Sequence, residues 1–522
     1  MNPLLQKLYE RAKLEPESLV IEGPVIFTAK RLLHHVECLG EYLQQHNISS
    51  LGLYADNGPA WIIVDLACQL VDACLVPLPV FFSQEQLQHA VNSAGISAIF
   101  TDQPKHIAGL IHPDLGIELQ DIIAPKVALG LALWRLPTRH KAPTLPDNTL
   151  KITYTSGSTG QPKGVCLSAT QQLQVAQALA DVINIRPIRH LCILPFATLL
   201  ENIAGIYAPI LAQGSILAPR LESLGMTGSS KVDLNKLLTM ISTVKPNSLI
   251  LLPQLLSALV TSIDFGWQPP KSLKFIAVGG GKVAPSLIAK ARDQGLPVYE
   301  GYGLSECASV VSLNSPLHDR PGSVGKPLPH VKVALDTGEI KVSGNSFLGY
   351  VNDVDRCSDQ TVSTGDLGYI DSEGFLHISG RRKNLLITSY GRNINPEWVE
   401  SELLANTVLS QAIVYGDARP FCIALLAPGK NSADNTNEKK IIDQWVTQVN
   451  LSLPDYAQIK RWYRLPTPLS FSAGLLTSNG RPKRLAIANY YRQQIDKLYL
   501  TSNELRVQPN KNGTQPPESI HL

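Results

Sequence analysis

The stretch Ile-Thr-Tyr-Thr-Ser-Gly-Ser-Thr-Gly-Gln-Pro-Lys-Gly-Val occupies residues 152 to 165, and the interpretation of the whole chain starts from it. Apolar and polar residues alternate from Leu150 to Tyr154, which predicts a strand, and the hydroxyls and glycines that follow predict a loop. The glycines let backbone N–H groups face an anion, while the hydroxyls and a lysine add donors and positive charge. We therefore expect a loop that binds polyphosphate. Its residues are Thr155, Ser156, Gly157, Ser158, Thr159, Gly160 and Lys163.

The spacing of this loop differs from that of a Walker loop, because Gln161 and Pro162 separate Gly160 from Lys163. A solvated linker is the alternative for a generic run of Ser, Gly and Thr, but this run follows a strand and ends in Pro-Lys-Gly-Val. In that order it resembles the signature of the adenylate-forming superfamily, which includes acyl-CoA synthetases, nonribosomal adenylation domains and firefly luciferase.

The composition is that of a soluble protein with two or more cores: 522 residues, 44% hydrophobic and 17% charged. The net charge of +3 gives no reason to expect a nucleic-acid partner. Eight cysteines without a Cys-x-x-Cys pair indicate buried thiols in a reducing compartment. The N-terminus lacks the apolar core of a signal peptide, and no apolar tract reaches the roughly 20 residues of a transmembrane helix. We expect a cytoplasmic protein.

Helical and strand-like segments alternate from Leu4 to His140, which predicts an α/β fold. The resemblance implies more detail. It implies a large N-terminal adenylate-forming domain, residues 1–380, built from two α/β/α subdomains plus a small β subdomain. A small mobile α+β C-terminal domain, residues 381–500, would follow a hinge. The composition of residues 501–522 predicts a disordered tail.

Two further glycine-containing segments follow predicted strands. Leu273 to Val278 leads into Gly279, Gly280 and Gly281, which form either a plain tight turn or a backbone that a ligand approaches closely. In the family this turn lies beside adenine and the acyl group.

The second segment follows a predicted strand from Pro297 to Tyr299 and resembles the family's Tyr-Gly-x-Ser/Thr-Glu motif. The resemblance implies that Tyr302 offers its ring to adenine, Ser305 its hydroxyl to the α-phosphate, and Glu306 an oxygen to Mg²⁺. The motif residues are Gly301, Tyr302, Gly303, Ser305 and Glu306.

Asp366 lies in a predicted turn from Thr364 to Gly368. An aspartate that only caps a turn is the alternative to one that accepts hydrogen bonds from both ribose hydroxyls, but the order of the motifs favours the ribose contact. The following segment resembles the family's hinge. It implies that Arg381 reaches ribose or phosphate and that Lys383 is the pivot.

The segment from Leu191 to Gly205 resembles the corresponding part of long-chain acyl-CoA synthetases at Leu194, Pro195 and Glu201. Thr198 stands where the family has an aromatic residue or histidine. Relatives that activate amino acids have an aspartate in this segment, and this chain has none, so an apolar acid is favoured.

Relatives have Gly-Lys near the C-terminus, and that lysine neutralises charge during adenylation. This chain has Gly480-Arg481, with Lys483 two residues later. Arg481 holds the aligned position and Lys483 has the matching chemistry, so both are candidates for the catalytic cation.

The resemblance implies ATP-dependent activation of a carboxylic acid with Mg²⁺, giving acyl-AMP and pyrophosphate, then an acyl thioester with CoA. Two alternatives are transfer to the phosphopantetheine of an acyl carrier protein, and an inactive, nucleotide-binding partner protein. The missing Gly-Lys pair motivates the second alternative.

Overall fold

The protein was analysed as a computed structural model that describes residues 2–111, 121–122, 129–136, 142–155, 162–227, 231–353, 361–429, 437–477, 480–500 and 520–521. The first elements alternate as expected for an α/β fold. They are α1 (Pro3–Leu14), β1 (Leu19–Glu22), β2 (Phe27–Thr28), α2 (Ala29–Gln45), β3 (Ser50–Tyr54), α3 (Pro59–Leu70), β4 (Cys74–Pro77), α4 (Gln84–Ser93), β5 (Ala98–Thr101), α5 (Pro104–Ile111), β6 (Asp121–Ile122), β7 (Ala132–Arg135) and β8 (Lys151–Thr155).

The middle of the chain continues the alternation. Its elements are β9 (Lys163–Leu167), α6 (Ala169–Ile183), β10 (Arg189–Leu191), a π-helix (Glu201–Tyr207), α7 (Ala208–Leu211), β11 (Ser215–Leu217), β12 (Met226–Thr227), β13 (Lys231–Val232), α8 (Leu234–Val244), β14 (Ser248–Leu251), α9 (Pro253–Asp264), β15 (Phe275–Val278), α10 (Pro285–Asp293), β16 (Val298–Leu304), β17 (Ser309–Leu313) and β18 (Lys326–Pro327).

A strand-rich segment and a mixed C-terminal segment complete the chain. They contain β19 (Lys332–Asp336), β20 (Glu339–Ser343), β21 (Gly349–Tyr350), β22 (Thr361–Ile370), β23 (Leu376–Arg381), β24 (Leu386–Ile387), β25 (Asn393–Ile394), α11 (Pro396–Leu403), β26 (Leu409–Tyr415), β27 (Cys422–Pro428), α12 (Glu438–Ser452), β28 (Ile459–Arg464), α13 (Arg484–Tyr490), α14 (Arg492–Lys497) and β29 (Ile520–His521).

Two large sheets dominate the first 350 residues. One has the order β18-β17-β16-β15-β14-β10-β11-β1-β2, and the other β21-β9-β8-β4-β3-β5-β7-β6. Their central strands are parallel, and the largest core cluster draws residues from both sheets and from the buried helix α3. The predicted α/β fold is confirmed. Strands β19, β20, β22 and β23 form a separate small antiparallel sheet.

The C-terminal segment has its own sheet and core. Strands β26, β27, β28 and β29 form the sheet, and α11 and α12 pack on it. Helix α11 begins at residues typical of a helix start: the Asn395 side chain accepts from the backbone N–H of Glu397, and Pro396 occupies the first turn. In the predicted tail, Ile520 and His521 pair with β28, and the residues around them lie outside the described ranges.

A buried network of side chains lies within the part of the chain that forms the two large sheets and the small antiparallel sheet, called the large region below. It joins β8, the strand before the predicted phosphate loop, to α3 and to the π-helix. Lys151 on β8 is 1% exposed, and its Nζ lies 2.9 Å from Asp65 Oδ1 on α3. Lys151 also donates to Asn202 Oδ1 and to Tyr207 Oη on the π-helix, the latter at 2.8 Å. Tyr207 Oη in turn donates to Asp65 Oδ2 at 2.7 Å. The network fixes β8, α3 and the π-helix relative to one another.

Replacing Lys151 with methionine leaves the Asp65 carboxylate buried without its cation. We expect Lys151→Met to lower the free energy of unfolding by about 3–5 kcal/mol, measured from the urea transition of the large region. The control is Lys7→Met, which removes the exposed Lys7–Glu10 pair and is expected to cost no more than about 1 kcal/mol. Equal effects of the two substitutions would contradict a stabilising role for the network.

Candidate functional site

The turn after β15 brings backbone to the centre of the site. Gly280 has φ +78°, a conformation that favours glycine, and a Cβ there would lie 3.0 Å from Leu252 Cδ2. A Cβ on Gly279 would lie 3.1 Å from the carbonyl oxygen of Gly301 on the neighbouring strand. A side chain at position 279 would crowd the backbone of β16, and a side chain at position 280 would crowd Leu252. The turn from Gly279 to Gly281 therefore presents bare backbone.

The motif from Gly301 to Leu304 belongs to a strand. We predicted that the strand ended at Tyr299, and this is wrong, because β16 continues to Leu304 and pairs with β17 in antiparallel fashion. The short 3₁₀ turn of residues 305–307 then reverses the chain so closely that a Cβ on Gly303 would lie 1.6 Å from Ser309 O. Glycine is therefore required at position 303. The turn carries Ser305 and Glu306.

Tyr302 meets the small sheet through its hydroxyl. Tyr302 Oη donates to Asp366 Oδ2 at 2.7 Å, and Arg381 Nε lies 2.9 Å from Asp366 Oδ1. Burial and the Asp366 carboxylate raise the pKa of Tyr302. Asp366 was predicted to lie in a turn, but it lies within β22, opposite Arg381 on β23. The pairing of β22 with β23 thus brings Asp366 and Arg381 together, and the Tyr302 hydroxyl adds a third predicted site residue.

Three cations gather around this carboxylate. Arg481, from the C-terminal segment, donates through Nη2 to the carbonyl oxygen of Gly280 at 3.0 Å. Part of the Arg481 side chain is exposed to solvent. The surrounding protein still removes enough of its hydration to lower the pKa of Arg481, and the nearby Arg381 guanidinium lowers this pKa further. The pKa of Lys383 is lowered in the same way, by loss of hydration and then by Arg381 and Arg481. Three cations therefore lie near the single carboxylate of Asp366, an arrangement that suits an anion.

The two candidates for the C-terminal cation occupy different places. Arg481 contacts the turn at Gly280, 201 residues earlier in the chain. Lys483 takes the N-terminal cap position of α13, where its backbone N–H donates to Leu475 O at 2.9 Å and its side chain is half-buried. Of the two candidates, Arg481 is therefore the one that contacts the glycine turn.

Glu306 and Lys163 meet at a residue that the sequence analysis missed. Tyr350 on β21 donates from Oη to Glu306 Oε1 at 2.9 Å, and Lys163 Nζ lies 5.2 Å from the centre of the Tyr350 ring. β21 pairs with β9, which carries Lys163. The aromatic residue after Gly349 is the sequence signal that could have identified this position. Tyr350 thus joins the strand after the phosphate loop to the predicted magnesium ligand.

Most of the predicted phosphate loop lies outside the described residues, namely Ser156, Gly157, Ser158, Thr159 and Gly160. Thr155 Oγ1 donates to the backbone carbonyl of Lys163 at 3.5 Å, so the two ends of the loop are adjacent. They are the last residue of β8 and the first of β9, which pair directly.

Two further charged residues, Glu300 and Lys282, were not among the residues predicted from the sequence. Burial raises the pKa of Glu300 to about 7, although Lys282 and Arg292 oppose the shift. Lys282 follows the glycine turn, and its Nζ donates to the carbonyl oxygen of Ile378 on β23 at 2.7 Å. Lys282 therefore ties the turn to the strand that leads into the predicted hinge.

The predicted acyl segment ends in the π-helix. Thr198 is half-buried one turn before it, and the backbone N–H of Asn202 donates to Thr198 O at 3.1 Å. Glu201 is fully buried, with Oε1 3.2 Å from His190 Nε2 and Oε2 accepting from the Leu194 N–H at 3.3 Å. The ligand atoms of His190, Cys192 and Glu201 lie within 4.8 Å of one another. Protein partners already satisfy them, including Ser248 Oγ at His190 Nδ1 and Gly205 O at Cys192 Sγ, so we interpret the cluster as a polar part of the core.

Within the described ranges, no helix combines the length and apolar character needed to cross a membrane.

Comparison with known proteins identifies the family. Residues 8–350 match the family described as AMP-binding enzyme, and residues 383–503 match the AMP-binding enzyme C-terminal domain. Among curated proteins, long-chain-fatty-acid–CoA ligase 1 of Cavia porcellus is 25% identical, over 89% of this chain and 81% of that protein. FadD15 of Mycobacterium tuberculosis, also a long-chain-fatty-acid–CoA ligase, is 25% identical over 84% of this chain and 86% of its own length.

Solved structures share the fold at lower identity. O-succinylbenzoate CoA synthetase of Bacillus subtilis, in complex with its acyl-adenylate intermediate, superposes with a TM-score of 0.72 at 23% identity, covering 92% of this chain and 97% of that one. The amide bond synthetase McbA of Marinactinospora thermotolerans also gives a TM-score of 0.72, at 20% identity, covering 94% and 99%.

Proposed function

Because the chain belongs to the AMP-binding enzyme family, we propose that it activates a carboxylic acid with ATP and transfers the acyl group to a thiol. The observation that carries the proposal is the cluster around Asp366: Tyr302 donates to this carboxylate, Arg381 pairs with it, and Arg481 lies near both charges while donating to Gly280 O. A flat ring, a hydrogen-bond acceptor and two guanidinium groups beside exposed backbone suit a nucleotide.

In the first half-reaction, a carboxylate oxygen of the substrate attacks the α-phosphorus of ATP. The bond from that phosphorus to the bridging oxygen breaks, and pyrophosphate leaves with the electron pair. No residue of the protein needs to form a covalent bond, so catalysis consists of positioning and charge neutralisation. Asp366 would accept from the ribose hydroxyls, Tyr302 would stack on adenine, and Ser305 would donate to the α-phosphate.

The phosphate chain needs cations to neutralise its charge. Lys163 and the loop from Thr155 to Gly160 would hold the β- and γ-phosphates, while Arg381 and Arg481 would neutralise charge closer to the ribose and the α-phosphate. Glu306 fits a magnesium site, because its carboxylate keeps free lone pairs after accepting one hydrogen bond from Tyr350. Bound Mg²⁺ would neutralise charge on the phosphate oxygens.

In the second half-reaction, a thiolate attacks the acyl carbon and AMP leaves. Arg481 belongs to the C-terminal segment, so a rotation about Lys383 would withdraw it and open the acyl carbon to the thiol. CoA is the proposed thiol, and the phosphopantetheine of a carrier protein is the alternative. An apolar acid is the proposed substrate, because the segment from Leu191 to Gly205 contains no aspartate for an ammonium group.

ATP–pyrophosphate exchange with a panel of fatty and aryl acids tests the proposal directly. We expect Mg²⁺-dependent exchange that only certain apolar acids support and that amino acids do not. Adding CoA or holo-carrier protein to the active acid then identifies the acceptor from the thioester formed. Retention of ATP without exchange for any acid would instead support the inactive, nucleotide-binding alternative.

A further inference from the structure

Two hydrogen bonds connect the C-terminal segment to a short stretch of the large region, residues 280–286. Arg481 donates to Gly280 O at 3.0 Å, and Ser286 Oγ donates to Glu402 Oε2 on α11 at 3.1 Å. The stretch therefore contacts the C-terminal segment at both of its ends. Lys282 lies between these two contacts.

Lys282 is half-buried and bonded to Ile378 O on the strand before the hinge. Acidic groups of two further elements lie close enough to favour its charged form: Glu300 on β16, and Glu402 and Glu397 on α11. Burial outweighs their effect and lowers the pKa of Lys282. Reciprocally, Lys282 and Ser286 lower the pKa of Glu402, although burial raises it on balance. The lysine thus bonds to the small sheet, and it stands in the chain between the two hydrogen bonds, Arg481–Gly280 and Ser286–Glu402, that join the C-terminal segment to the large region.

We propose that Lys282 is a positioning residue that holds α11 against the large region, in the orientation that places Arg481 at the glycine turn. The proposal rests on the proposed function, because it assigns Lys282 to the first half-reaction only. Lys282 contacts Ile378 through its only charged group, so the same ammonium fixes the strand entering the hinge and attracts the two acids of α11. Without its charge, α11 loses this attraction and Arg481 spends less time at the turn.

The test compares Lys282→Gln with Lys290→Gln. Lys290 lies on α10, eight residues later, and its Nζ pairs with Asp264 Oδ2 at 2.7 Å within the large region, so the control removes the same charge without touching α11. Two activities are measured for each variant: ATP–pyrophosphate exchange, and thioester formation from presynthesised acyl-AMP and CoA.

We expect Lys282→Gln to lower the turnover number for exchange on the order of tenfold, with little change in the KM for ATP and no loss in thioester formation. Lys290→Gln should leave both activities unchanged, and Lys282→Arg should restore most of the exchange. Combining Lys282→Gln with Arg481→Ala should cost less than the product of the single effects, because both act through the same cation.

Two results would overturn the inference. Equal losses in both half-reactions, with a matching loss of thermal stability, would make Lys282 a residue of the fold alone. Unchanged exchange in Lys282→Gln, with an active wild-type protein, would remove any positioning role. Absence of exchange in the wild-type protein would count against the proposed function itself.

Discussion

Arg481→Ala is expected to lower ATP–pyrophosphate exchange by about 10²- to 10³-fold, the loss typical of removing one preorganised donor to a developing charge. Of the two candidate C-terminal cations, Arg481 is the one that contacts the glycine turn, through Gly280 O at 3.0 Å. Its guanidinium would face the α-phosphate while negative charge moves onto pyrophosphate. The turnover number should fall more than the KM for ATP rises, because the contact strengthens in the transition state.

Lys483→Ala is the matched comparison, since it removes the same charge two residues later. We expect it to slow exchange by less than about tenfold, in keeping with a cation near the site that does not touch the reacting groups. Arg481→Lys should retain part of the activity, because a lysine supplies the charge without the planar fork. The opposite ranking of Arg481→Ala and Lys483→Ala would assign the catalytic role to Lys483.

Asp366→Ala is expected to raise the KM for ATP on the order of 10²-fold. In this variant the ribose of ATP would lose the two hydrogen bonds that the Asp366 carboxylate is proposed to accept. Each hydrogen bond to a charged acceptor contributes about 1.5–3 kcal/mol. Arg381 would also lose its partner at 2.9 Å. Initial-rate measurements of exchange at varied ATP give the KM, and a fixed saturating acid keeps the second substrate constant.

Two variants separate a ribose contact from a structural one. Tyr302→Phe removes the hydroxyl that binds Asp366 at 2.7 Å but keeps the ring, so its KM should rise by less than about tenfold. Asp336→Ala removes an exposed carboxylate from the same small sheet and should leave the KM unchanged. An unchanged KM in Asp366→Ala would leave this residue only the role of fixing Tyr302 and Arg381.

Patterns within short stretches of the sequence indicate the helices and strands that depend mainly on neighbouring residues. Apolar residues recur at helical spacing in α2, where Leu32, Val36, Leu39 and Leu43 are buried, and Thr28 caps the helix. An apolar run bounded by turn residues, Ala98 to Thr101, is β5. Asn395 followed by Pro396 is a typical helix start, and α11 begins there. The motif order also identified the family, because several rare combinations of residues had to occur together.

Features that depend on distant partners could not be predicted. Strand β16 extends through the motif because the chain reverses direction and β17 pairs with it. This reversal leaves room only for glycine at position 303. Lys151 is buried because Asp65, 86 residues earlier, neutralises it. The contacts of Tyr350 with Glu306 and of Lys282 with Ile378 join residues 44 and 96 positions apart, so only the folded chain shows them.

Arg481 and the glycine turn that it contacts belong to different parts of the chain, the C-terminal segment and the large sheet that contains β15. Under the proposed mechanism this has a consequence for the direction of the reaction: if the C-terminal segment rotates away after pyrophosphate leaves, the cation needed to reverse the first step leaves with it. We would then expect the mixed anhydride to be protected from pyrophosphorolysis for as long as the thiol has access.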